Sequence, residues 1–343
     1  MERKNIVFFP APGSSDGDNL FVRNMIELIS WNYHVAAMEQ ISNDQIKIRG
    51  VQAVILNWAE TELDPHMKRI LLLYKLLGVK ICWVFHNRVP HDCKKISQIK
   101  NMKWLADRCD CILLLSKASR QYLPNRKRNL RKCVYLPHIN YIGTYPESER
   151  DIRKENGVGE DTFVYAFYGL IRPYKNLEIL LQAFCELKLE NAKLLIAGSI
   201  RNGMDIEELK KRCIGSDSVI LWPGFIPNGE MEAFVRGCDL MVLPYSKVSS
   251  MNSGAMILAF SYARTVIVPE IAMGRDIKDK NFAFIYDYAN EKENLEGLKE
   301  KMLEAYQIGR RGVHGMGERA KKYVKRNHNG KKVIEALEKA IHI

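Results

Sequence analysis

A chain of 343 residues, 47% apolar and 27% charged, has the size for two globular domains. No apolar run approaches the roughly 18 residues of a spanning helix. The start, Met1-Glu2-Arg3-Lys4-Asn5, runs straight into Ile6-Val7-Phe8-Phe9, too brief for a signal-peptide core, so an intracellular protein is expected. The net charge of +12 is uneven, with fourteen Lys/Arg against three acids between Lys80 and Lys132. Such a field suits a nucleic acid, an anionic membrane surface or a phosphorylated substrate, or is a solvated basic face.

In the first half, strands are expected at 5–9, 33–38, 51–57, 79–86, 110–115 and 132–136, with helices near 19–30, 62–77, 92–106 and 116–123. These are repeated βα units, and continuous apolar strands suit a parallel sheet covered on both faces. The loop after the first strand should border a cleft at the carboxyl ends of the strands, with Gly13 in it and Asp18 or Asn19 capping the helix. Asp16 in this loop and Glu60, after Asn57-Trp58-Ala59, are equal candidates for a base near an attacking hydroxyl. His86 and Asn87 follow the fourth strand, where an imidazole can donate to a hydroxyl or move a proton. His91 either faces the cleft or caps the helix from Asp92. His138, after Leu136-Pro137, is a further candidate, and a structural role fits a lone loop histidine as well. Between Cys93 and Leu105, lysines alternate with Ile96, Ile99, Met102 and Trp104, as in a packed helix or one resting on an anionic membrane.

From Tyr145 to Asp161 the chain is polar and turn-rich, as a linker would be. Strands follow near 162–168, 192–198, 218–222, 239–243, 265–269 and 282–285, and helices near 175–188, 205–213, 229–237, 252–263, 290–307, 313–326 and 330–342. The eight cysteines form no C-x-x-C pair and read as reduced, buried thiols. Gly169 permits a sharp turn after its strand, and Arg172 and Lys175 then stand three apart at the mouth of a helix. Together they can hold one anion, a guanidinium fork beside a point charge, unless they are ordinary surface cations. Gly198 ends the next strand and allows close backbone approach. Phe225 and Ile226 either flank a nucleobase or pack in the core. Beyond Tyr245, the stretch Ser250, Asn252, Ser253, Gly254 and Ala255 opens an apolar helix. Its first N–H groups and its dipole favour a phosphate. Two anion devices in one unit suggest a ligand with more than one phosphate.

The succession FYGLIRPYKNLEILLQAF, KLLIAGS, VILWPGFIPNGEMEAFVRGCDLMVLPY and NSGAMILAFSYARTVIVPE resembles the donor half of GT-B glycosyltransferases over residues 147–290, and weakly over the first 145. The resemblance implies an α/β fold of two facing, doubly wound Rossmann-like domains with an interdomain cleft. Residues 1–146, joined by the C-terminal helix 322–343, would bind the acceptor and 147–321 the nucleotide-sugar donor. It implies that Arg172 and Lys175 hold the donor diphosphate, opposite the amides of Ser253, Gly254 and Ala255. Asn252, Ser250, Tyr245, Gly198, Phe225 and Ile226 would lie near the nucleotide or sugar. In similar enzymes a histidine at the place of His86 contacts the donor sugar. Gly13, Asn19, Asn87, His91 and His138 would line the acceptor side.

Many relatives carry two glutamates in an E-x7-E pattern around this loop, and here Ser250 and Leu258 take those positions. Donor-sugar and ribose contacts, and the retaining or inverting outcome, are therefore not carried over. Asp16-Gly17-Asp18 spells the D-x-D metal motif of the other major glycosyltransferase fold, but in that fold it follows a later strand, and no supporting ligand is evident. The expectation is a metal-independent hexosyltransferase using a UDP- or GDP-sugar, without a cofactor, on a glycan or lipid-linked acceptor in surface polysaccharide synthesis. It would be cytoplasmic, peripheral at the inner face of the membrane, and would bind no nucleic acid. A sugar-nucleotide epimerase or hydrolase of the same fold, and a basic nucleic-acid binder, are the alternatives.

Overall fold

The computed structural model describes residues 5–10, 19–37, 50–89, 96–200, 211 and 217–342. Two compact units share the chain: Met1–Ile139 with Asn327–Ile343, and Asn140–Arg326. The expected helix at 205–213 falls outside the described residues except for Lys211.

The first unit is built on a six-stranded sheet of β1 (Asn5–Phe9), β2 (His34–Ala37), β3 (Val51–Asn57), β4 (Lys80–Phe85), β5 (Cys111–Leu114) and β6 (Cys133–Tyr135). Its order is β2-β1-β3-β4-β5-β6, and every pairing is parallel. Parallel neighbours require crossovers, and helices Leu20–Ser30, Pro65–Leu76 and Ile96–Arg108 supply three of them. Their starts are set locally. Asn19 Oδ1 accepts from the Phe21 N–H at 2.9 Å, and Asp64 Oδ1 accepts from the Met67 N–H at 2.7 Å with Pro65 next in the chain. Both sheet faces are covered, so β3 and β4 are almost wholly buried and Trp83 is fully so. A side chain of that class contributes roughly 2–3 kcal/mol by burial. Helix Gly330–Ile341 completes this core with Val333, Ala336, Leu337, Ala340 and Ile341.

The second unit holds β7 (Phe163–Tyr168), β8 (Ala192–Gly198), β9 (Val219–Pro223), β10 (Leu240–Val242), β11 (Thr265–Pro269) and β12 (Phe284–Tyr286) in the order β12-β11-β10-β7-β8-β9. All are again parallel. The chain builds outward from β7 on one side, then returns to start β10 on the other. The strand order therefore reverses between β7 and β10, and in open α/β sheets ligands bind beyond the carboxyl ends of the strands at such a point. The two helices expected at 290–307 and 313–326 are present within Glu291–Asn327, divided at Gly309, whose φ of 75° is non-helical. Glycine occupies that conformation without a Cβ penalty, so it forms the kink between the two helices. Gly317 then presses on the turn at Ala263, where an added Cβ would stand 2.0 Å from the Ala263 carbonyl oxygen.

Candidate functional site

The two chain segments that leave the switch point of the second unit meet beyond the sheet. After β7, Gly169 adopts φ +117°, and an isolated bridge pairs Ile171 with Ile200. The backbones of Gly169 and Gly198 are in contact, since a Cβ on Gly198 would lie 1.8 Å from the Gly169 carbonyl oxygen. A single turn, Pro173–Lys175, follows, and Asn176 in the left-handed region starts helix Leu177–Leu187. After β10, the chain is tied to that turn twice. The Ser246 N–H donates to the Tyr174 carbonyl at 2.8 Å, and Asn176 Nδ2 donates to the Pro244 carbonyl at 2.8 Å.

This staple buries the Lys175 side chain. Its ammonium lies 5.5 Å from the Phe167 ring centre and 5.3 Å from that of Tyr245. Burial, and then the Arg172 charge beside it, pull its pKa from 10.5 down to about 7. The Tyr245 phenol is pushed well up by burial, with the Ser253 side chain near enough to offset part of that. Ser253 caps helix Gly254–Ser261, with Oγ accepting from the Met256 N–H at 3.1 Å. Arg172, Lys175, Tyr245, Ser253, Gly254 and Ala255 thus share one place: two cations at a strand end and the first turn of a helix, joined through Tyr245. Ser250 is buried in the same loop, and its Oγ has no hydrogen-bond partner among the described residues. Asn252 is half-buried beside it. Such a site offers positive charge at two points and main-chain N–H donors between them.

Gly198 lies at the edge of this site, with the Gly224 N–H donating to its carbonyl at 3.1 Å. Ile226 is buried, whereas Phe225 is 72% exposed. Core packing of Phe225 is thereby ruled out, because the turn at Gly224 (φ +140°) carries it outward while Ile226 fills the interior.

In the first unit, His86 stands at the end of β4. Its Nε2 is 3.0 Å from Asn57 Oδ1, and its ring stacks on Trp58 at 4.1 Å. Phe21 meets His86 edge-on at 5.4 Å and contacts His138 at 4.9 Å. Asn19, the cap before Phe21, belongs to this group, and Asn87 is buried next to it. His138 lies in the interior rather than on an open surface. Its carbonyl accepts from His328 Nδ1 at 2.8 Å, and burial holds the pKa of both imidazoles down at about 4. Glu60 is not at an open strand end either. Trp58 takes a left-handed conformation that turns the chain inward, and Glu60 Oε2 accepts from Trp83 Nε1 at 3.3 Å. It is 1% exposed, and burial raises its pKa. A carboxylate shut beneath the sheet is poorly placed to meet an acceptor hydroxyl. Gly13, Asp16 and His91 lie outside the described residues. The residues that sequence reasoning passed over are packing partners: Phe167 beneath Lys175, and Trp58 and Phe21 around His86. Only the left-handed preference of asparagine at Asn176 hinted at its bond to Pro244.

Among the described residues no group of three or more His, Cys, Asp or Glu is arranged to hold a metal ion. No described helix is long and apolar enough to cross a membrane.

Residues 148–258 match the family model described as glycosyl transferases group 1, and they include Arg172, Lys175, Tyr245 and the Ser253-Gly254 helix start. A GDP-mannose:glycolipid 4-beta-D-mannosyltransferase of Xanthomonas campestris pv. campestris is 27% identical over 241 residues, 69% of this chain. The match spans 64% of that relative's length. Among solved structures, Anabaena HepE in complex with UDP-glucose superposes with a TM-score of 0.73 at 12% identity, covering 99% of this chain and all of that one. Sucrose-phosphate synthase of Thermosynechococcus elongatus gives 0.74 at 13% identity, with 98% of each chain covered. The second unit therefore contains the residues that match this family model, on a chain that has the GT-B fold of those solved structures.

Proposed function

We propose that the protein transfers a hexosyl group from a nucleoside diphosphate sugar to a hydroxyl of a glycan or lipid-linked acceptor, in the building of a surface polysaccharide. The observation that carries this is the buried Lys175 ammonium, placed with Arg172 at the switch point and joined by Tyr245 to the start of helix Gly254–Ser261. Burying one cation beside another is costly unless an anion compensates them. A diphosphate does so, and as the bond to the sugar breaks its growing charge is stabilised by the same groups. Charge is supplied by the protein, so the transfer is read as metal-independent and cofactor-free. The second unit would hold the donor. The first would take the acceptor near His86, whose imidazole can donate to a hydroxyl. A lipid-linked acceptor places the enzyme at a membrane periphery on the cytoplasmic side.

The test is a thermal-shift screen of UDP-, GDP-, ADP- and dTDP-sugars, followed by transfer assays with the donor that binds. A ligand at about 100 times its Kd adds about 2.7 kcal/mol of apparent stability. The curated relative is named for GDP-mannose and the HepE complex contains UDP-glucose, so both belong in the screen. Turnover of the donor without acceptor at the full rate would favour a hydrolase or epimerase. Absence of binding by every nucleotide sugar would defeat the proposal. Transfer that persists in excess EDTA is expected.

A further inference from the structure

Helix Pro65–Leu76 has two apolar sides. Met67, Leu71 and Tyr74 are buried toward the sheet of the first unit. Leu72, Leu73, Leu76 and the following Leu77 are all exposed, Leu76 to 85%. Pairs four apart lie on one side of a helix, so these leucines make a single outward ridge. Helix Ile96–Arg108 lies alongside. Lys68 Nζ donates to Asn101 Oδ1 at 2.8 Å, and Lys75 Nζ donates to the Arg108 carbonyl at 2.8 Å. This second helix buries Met102, Leu105 and Ala106 but exposes Ile96 to 75%, and Ile99 as well. The two helices carry Lys68, Arg69, Lys75, Lys100, Lys103 and Arg108, against Asp107 within them, and Lys75 is paired with Asp110 just beyond. Asp107 is occupied by the side-chain amides of Asn125 and Asn129.

We propose that this paired-helix face of the first unit docks on an anionic lipid surface. Leu72, Leu73, Leu76 and Leu77, with Ile96, enter the acyl boundary, and the flanking cations meet headgroup phosphates. A leucine ridge in a basic field is what an interfacial helix pair presents. A second copy of the chain is the poorer occupant, because a two-fold contact would set six cations against six. The inference deepens the reading of a membrane-peripheral enzyme, and rests on it for the lipid-linked acceptor. The segment from Cys93 to Leu105 is thereby a packed helix and part of the lipid face at once, over its described residues.

The full chain is tested by co-sedimentation with vesicles of phosphatidylcholine alone, and of phosphatidylcholine with phosphatidylglycerol. Binding to the mixed vesicles only, weakened by salt, is expected. Leu76→Glu/Leu77→Glu should lower the partition at least about tenfold. Lys100→Glu/Lys103→Glu should lower it by at least about twenty-fivefold, about fivefold for each cation lost. All four positions are exposed, so both variants should keep the wild-type thermal shift with UDP or GDP. Wild-type protein left in the supernatant, or variants that sediment like wild type, would overturn the proposal. So would a solution dimer that Leu76→Glu/Leu77→Glu splits, since the ridge would then face a second copy. Vesicle binding without any nucleotide shift would leave the docking face standing and remove the glycosyltransferase reading instead.

Discussion

If Lys175 is the cation that a diphosphate completes, ligand binding must take up a proton. In the free protein burial and Arg172 hold its pKa at about 7, against 10.5 ordinarily. A bound diphosphate beside the ammonium restores the charged form. At pH 8 the free lysine is protonated in about one molecule in ten, so binding should absorb about 0.9 proton, and at pH 7 about 0.5. The terminal phosphate of a free nucleotide, with its second pKa near 6, is already ionised at pH 8 and contributes little. The assay is calorimetric titration of UDP or GDP in buffers of differing ionisation enthalpy, where the slope of observed heat against buffer enthalpy counts the protons. Affinity should also fall with rising pH, approaching about tenfold per pH unit above pH 8.

The same shift fixes the sign for stability. Between pH 7 and 10.5 the unfolded chain holds the Lys175 proton and the folded one does not. Stability of the free protein should therefore rise with pH across that window, by at most about 1.4 kcal/mol per pH unit from this group. Lys175→Met keeps the apolar stem against Phe167 and Tyr245 but removes both dependences. A wild-type slope of zero at pH 8, with binding intact, would refute the reasoning. So would a Lys175→Met protein that takes up as much proton as the parent.

Four further outcomes are expected. Arg172→Ala should lower turnover by about a hundredfold or more, while shifting the denaturation midpoint by the equivalent of no more than about 1 kcal/mol, since the side chain is only half-buried; steady-state kinetics beside urea melts check this. Gly198→Ala should destabilise by more than about 3 kcal/mol, because its Cβ would stand 1.8 Å from the Gly169 carbonyl oxygen; a thermal melt near wild type would contradict the close approach. His138 and His328, with pKa near 4, bind protons in the unfolded chain before the folded one, so stability should fall as pH drops from about 6.5 toward 4; denaturation at pH 7 and pH 5 measures it, and replacing His328 by Asn should flatten the loss. His86→Phe keeps the stack on Trp58 but strands Asn57 Oδ1. It should cost about 1–3 kcal/mol of stability. If the imidazole serves transfer, activity should fall by about a hundredfold or more with donor binding unchanged.

Strand positions were legible because parallel strands buried on both faces read as unbroken apolar runs. Phe163–Tyr168 and Ala192–Gly198 are two such runs, bounded by turn residues. The strand-end cations were legible for a related reason, since Gly169 and Gly198 mark where backbone comes close. What stayed hidden depends on contacts between distant segments. Nothing local tells Lys175 that Tyr245, seventy residues on, will cover it, nor that its charge will be suppressed. Glu60 misled for the opposite reason. Its polarity at a strand end suggests exposure, but the left-handed turn at Trp58 carries it under the sheet to Trp83.

The missing glutamates become intelligible at the same site. In the E-x7-E pattern, the first glutamate is read as meeting the donor sugar and the second the ribose. Here the corresponding positions are Ser250, buried with no hydroxyl partner among the described residues, and Leu258, buried within helix Gly254–Ser261. An acid at Leu258 would enter an apolar helix face, where a lone charge is strongly disfavoured. With neither carboxylate present, these two positions add no negative charge, and burial followed by the Arg172 charge holds the Lys175 pKa down at about 7. Placing a carboxylate back at the loop position, Ser250→Glu, should raise the Lys175 pKa and reduce proton uptake at pH 8. It should weaken nucleotide binding at pH 7 as well, since the new anion competes with the diphosphate for the same pair of cations. Tighter binding in that variant, with proton uptake unchanged, would show that position 250 does not feel the cation pair.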